Sequence, residues 1–81
     1  MQLDAYDVEL DAPKKAAHQV KLMEEFTKNI QNLGGQVTGH FMVLPPATLR
    51  MRVHLHKDVV PTVERWKEVR EVRKVLPMPT M

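Results

Sequence analysis

Arg50, Arg52, His54 and His56 take every second position of Thr48–His56, TLRMRVHLH, and Leu49, Met51, Val53 and Leu55 fill the places between them. Alternation with period two marks a half-buried β-strand. The polar side then holds two guanidinium groups and two imidazoles with no acid among them, a donor about every 6–7 Å. Such a row suits a phosphate backbone or an acidic protein surface. A solvated outer sheet face has the same pattern.

Other chemistry has less to stand on. The chain contains neither Cys nor Ser, so thiolate zinc sites, disulfides and the common nucleophiles are excluded. No Gly-rich phosphate loop and no nucleophile elbow occurs. His40, His54 and His56 offer three imidazoles of the kind that hold zinc or copper, but no carboxylate or thiol accompanies them by pattern. They read as hydrogen-bond donors. No catalytic residue, metal site or cofactor is expected.

The net charge of +2 is unevenly spread. Residues 1–40 carry −2 and residues 41–81 carry +4, which directs any nucleic-acid surface to the second half. That half includes the mixed run Glu64–Lys74, ERWKEVREVRK. As a helix it would be laced with i,i+4 pairs. Trp66 within it is either a core anchor or a stacking platform.

These residues need elements to hold them. The 81 residues suffice for one small domain, with Tyr6, Phe26, Phe41 and Trp66 as its only aromatics and six Met in the core supply. So thin a core is expected to be marginally stable alone and to lean on partners. No apolar run reaches membrane-spanning length, and no signal or transit peptide is visible. Gln2–Leu10 predicts a first strand with a kink or early end near Tyr6-Asp7. Asp11 is placed to cap a helix with Pro13 in its first turn. Ala16, Val20, Met23, Phe26, Ile30 and Leu33 recur at helical spacing, giving an amphipathic helix of about five turns. Gly34-Gly35 stops it.

Gln36–Leu44 predicts a second strand, with Gly39 as a bulge or a point of close approach, and Pro45-Pro46 breaks pairing. The alternating strand comes next, then a turn at Lys57-Asp58. A short helical turn near Thr62–Lys67 and a strand from Val69 to Leu76 follow, ended by Pro77 and Pro79. Strand, long helix, strand is a split βαβ opening. Its crossover lays the helix on one sheet face and leaves the other to the basic row.

Several short motifs resemble the S-ten family of small-subunit ribosomal proteins. LDAYDVEL looks like that family's first strand, and LGGQVTGHFMVLPPAT (Leu33–Thr48) like its helix stop, second strand and proline-marked loop. His56-Lys57-Asp58, then Glu68-Val69-Arg70 with Arg73 and Leu76, resemble the basic return limb of its long hairpin. Pro79-Thr80 is similar to the turn before its second helix. The likeness runs through almost the whole chain in order, although the loop after Pro46 carries Ala47 and Thr48 where the family has a basic cluster.

The resemblance implies an α+β fold. It would be a ferredoxin-like split βαβ sheet with a long helix on one face and an extended hairpin, lacking the closing helix and strand because the chain stops where they would begin. It further implies a single ribosomal-protein-like domain, residues 1–81, binding ribosomal RNA and neighbouring proteins in the small-subunit head of an organellar, mitochondrial ribosome. The residues expected to contact RNA are Arg50, Arg52, His54, His56, Lys57, Arg70, Arg73 and Lys74. Two rivals stay open: a related large-subunit mitochondrial ribosomal protein, and a ferredoxin-like regulatory or dimerisation module.

Overall fold

The computed structural model describes residues 3–11, 13–43 and 48–75, which form a small α+β domain. The strands are β1 (Asp4–Asp11), β2 (Gln36–Val43), β3 (Thr48–Leu55) and β4 (Val69–Lys74). Helix α1 (Ala16–Asn32) follows β1, and a 3₁₀ turn (Lys57–Val59) leads into the short helix α2 (Val60–Glu64) before β4. The four strands make one antiparallel sheet in the order β2-β3-β1-β4. The features expected at Pro45-Pro46, Leu76, Pro77 and Pro79-Thr80 lie outside the described residues.

The expected absence of a closing helix and strand is corrected. Helix α2 and β4 occupy the second half, and β4 pairs along the edge of β1 that would otherwise be open. The physical reason lies in Val63, Trp66, Val69 and Val72. Val63 is fully buried, and the other three pack against the core from the same side. The return limb of an extended hairpin is likewise absent from the described residues. His56-Lys57-Asp58 belongs to the 3₁₀ turn, and Val69–Lys74 pairs with β1 rather than with β3.

From Leu49 onward β3 is buried at every second residue as its alternation requires: Leu49, Met51, Val53 and Leu55 are all nearly inaccessible, and Thr48 at the strand's start is buried as well. β1 presents Tyr6, Val8 and Leu10 beside them, with no break at Tyr6-Asp7. Its one irregularity is a register shift against β4 at Glu9/Leu10. Phe26 and Ile30 of α1 cover this layer, and Trp66 meets Phe26 edge-on with ring centroids 5.8 Å apart. Trp66 is therefore a core anchor.

Helix α1 starts later than expected. Asp11 is the last residue of β1, opposite Thr48, and Lys15 is the residue before the first turn. Gln19 stabilises this start by donating from Nε2 to the Pro13 carbonyl at 2.7 Å. The helix ends as its Gly-Gly dictates. Gly34, at φ +81°, donates to the Gln31 carbonyl at 2.9 Å, and Gly35 donates to that of Ile30 at 3.0 Å. The bulge expected at Gly39 appears as a register shift between Val37 and Gly39 against β3.

Candidate nucleic-acid interface

The sheet face opposite the helices is built by register. On β3, Arg50, Arg52 and His54 are half-buried and point away from the core. Antiparallel pairing sets Glu9 opposite Arg50 and Asp7 opposite Arg52, while β4 sets Glu71 opposite Glu9 and Arg73 opposite Asp7. Directly opposed side chains lie within reach of each other, so charges on one strand find partners on the next.

The pairs form accordingly. Asp7 accepts two hydrogen bonds from Arg52, from Nε at 3.0 Å and from Nη2 at 3.2 Å. This bidentate fork raises the Arg52 pKa above its usual value, through the hydrogen bond first and the charge of Asp7 second. Arg50 Nη2 donates to Glu9 Oε1 at 3.4 Å. Arg73 instead pairs within β4, with Glu71 at 3.1 Å, and that hydrogen bond, then the charges of Glu71 and Glu9, raise its pKa too. Arg70 meets Asp11 at 3.3 Å at one end of the sheet, and Lys74 reaches Asp4 at 4.0 Å toward the other. Four arginines thus face four carboxylates.

The basic row expected on the outer face lies there, but not alone. The sheet interleaves the halves: acidic β1 lies between basic β3 and β4. The acids were legible as a pattern, since Asp7, Glu9 and Asp11 alternate with Tyr6, Val8 and Leu10 much as the arginines alternate on β3. Only the pairing of β1 with β3 makes the two patterns complementary.

The eight expected contact residues divide into groups. Arg50, Arg52, His54 and Arg73 share the outer face. Arg70 and Lys74 lie near opposite ends of edge strand β4. His56 and Lys57 lie past the end of β3. There His56 Nδ1 accepts from the Asp58 backbone N–H at 3.2 Å and lies 3.3 Å from the Asp58 carboxylate. His56 thus caps the 3₁₀ turn instead of extending the outer row. His40, opposite Met51, stands on the helix side of the sheet while His54 faces away from it, so the imidazoles do not converge. Among the described residues no group of three metal-ligating side chains gathers.

One participant escaped the sequence reading. Phe41, opposite Arg50, is 49% exposed. Its ring edge approaches the outer side of Gly39, beside the Cβ of Arg52. An apolar ring thus lies on the same face as the two arginines, whose heads turn toward β1, and close to a strand position without a side chain. The continuous apolar run from Phe41 onward hid it, because such a run reads as core.

No family model matches the chain, and no curated protein or solved structure matches it either. Among the described residues no helix is long and apolar enough to cross a membrane.

Proposed function

We propose that the chain is a non-catalytic RNA-binding protein that uses the outer sheet face. The observation that carries this reading is one exposed ring, Phe41, on the same face as Arg50 and Arg52 and opposite Arg50 in the register, with His54 further along β3 and the two guanidinium groups turned toward β1. An exposed aromatic platform with planar donors further across the same face suits an unstacked base of single-stranded RNA. Arg50 and Arg52 each retain N–H groups that their carboxylates do not take, and His54 adds another donor or acceptor.

The ion pairs shape the mode of binding. A paired arginine neutralises a phosphate only by sharing or releasing its carboxylate, so stacking and base-edge hydrogen bonds carry more of the affinity than counterion release does. Lys57, Arg65 and Lys67 form no ion pair among the described residues and remain for phosphates.

We further propose a ferredoxin-like fold for the domain, supported by the strand order and by the two helix connections β1-α1-β2 and β3-α2-β4. The motif resemblance supports a place as a structural constituent of the ribosome, in contact with ribosomal RNA and neighbouring proteins of the small-subunit head in a mitochondrial setting. Co-sedimentation of the tagged chain with ribosomal particles tests this placement. The chain is expected to travel with the small subunit and to be released by nuclease. Migration apart from both subunits would overturn the ribosomal assignment.

A further inference from the structure

The two edges of the sheet differ sharply in sequence. β4 reads VREVRK, with four charged residues in six, whereas β2 reads QVTGHFMV, with none in eight. Charges on an edge strand deter pairing with another chain, and an uncharged apolar edge invites it. Among the described residues nothing pairs with the outer side of β2.

Side chains next to that edge repeat the message. Val20 and Phe41 are the large apolar residues left substantially exposed among those described, each at 49%. They flank β2 from opposite sides, Phe41 on the outer face and Val20 on α1. Between α1 and β2 runs an open, mainly apolar groove of about 610 Å³, lined by Val20, Met23, Thr27, Val37, His40 and Met51.

We propose that this edge and groove form a two-fold interface with a second copy of the chain, in which β2 pairs antiparallel with its mate. The charges on the groove rim select this occupant. Glu24 and Lys28 lie one helical turn apart on α1, both exposed and both without an ion pair among the described residues. A two-fold axis normal to the sheet sets the two α1 helices antiparallel. If the axis passes level with Phe26, Glu24 of each copy comes opposite Lys28 of the other.

Chain geometry puts that level at the middle of β2. From Phe26 to the helix end at Asn32 is about 9 Å at 1.5 Å per residue. The same distance along the returning strand, at about 3.3 Å per residue, reaches about Gly39 from Gln36, beside the middle of the strand. One axis therefore serves both the strand pair and the charge pair. This self-complementarity is what an isologous interface requires.

Sedimentation velocity of the full 81-residue chain, over roughly a thousandfold range of concentration, tests the inference. A monomer–dimer equilibrium is expected. Lys28→Glu and Glu24→Lys should each raise the dimer dissociation constant roughly tenfold, because symmetry replaces two attractions by two repulsions. The combined Glu24→Lys/Lys28→Glu protein should return to within about threefold of the parent. Val20→Glu, at an exposed position, should weaken dimerisation with the circular dichroism spectrum unchanged. A chain that stays monomeric throughout overturns the proposal, whether the edge is free or covered by the chain's own terminus. A dimer indifferent to all these changes, or not restored by the double reversal, also overturns it.

Discussion

At the scale of single residues, the pattern on β3 was fully legible. Eight alternating positions told which side chains are buried, and Leu49, Met51, Val53 and Leu55 are. What alternation could not tell was the company the polar residues keep. Asp7 and Glu9 come to Arg52 and Arg50 from more than forty positions away, through a register that no local pattern encodes. Tyr6 makes a similar point about burial. It is 6% exposed, and burial first, then the charge of Asp4, raises its phenol pKa above the ordinary 10.0. The folded state therefore holds the Tyr6 proton more tightly than the unfolded chain does. Its contribution to stability is complete below about pH 10 and is lost as pH rises toward the higher folded pKa. Denaturant midpoints are expected to fall across that range, and Tyr6→Phe should flatten the fall. An unchanged slope in Tyr6→Phe would show that another group causes it.

At the scale of elements, α1 and its stop were readable from spacing and from Gly34-Gly35, whereas its start was not. Asp11 has the right chemistry for a cap, but β1 claims it for the sheet, because strand pairing with Thr48 extends one residue further than the alternation of apolar residues. Elements read one at a time also placed a helical turn and a strand after Pro61, close to where α2 and β4 lie. The motif comparison pointed instead to an extended limb, and tertiary packing of Val63 and Val72 decides between them. The joint between α1 and β2 rests on Gly35. A Cβ there would press on Leu55, Ile30 and the backbone carbonyl of His54. The carbonyl belongs to the sheet and yields little, so Gly35→Ala should cost about 2 kcal/mol. In a domain of this size that lowers Tm by roughly 8–16 °C. Gly34→Ala, strained by its positive φ but with open space around it, should cost about 1 kcal/mol. Thermal melts of the two variants check both the sizes and their order.

At the scale of the whole molecule, the charge asymmetry along the chain does not survive folding, because the topology threads β1 between β3 and β4. The closure of the sheet by β4 also changes the stability expected of the isolated chain. One core runs from Tyr6 and Leu10 through Phe26 to Val63, with Trp66 packed against it. Far-UV circular dichroism and Trp66 fluorescence should report one cooperative transition with the same midpoint. Separate midpoints would mean that α2 and β4 are not part of the same folding unit.

The central claim is that the outer face, ring and arginines together, binds single-stranded RNA. Fluorescence anisotropy with a short labelled single-stranded RNA, at several salt concentrations, tests it most directly. Phe41→Ala should weaken binding roughly five- to hundredfold with the salt slope unchanged, since stacking releases no counterions. Asp7→Asn should strengthen binding and steepen the slope, because it leaves Arg52 free for a phosphate. It should change stability by no more than about 1 kcal/mol, as surface ion pairs do. Parent-like affinity in Phe41→Ala, or no response to Asp7→Asn, would contradict RNA binding at this face.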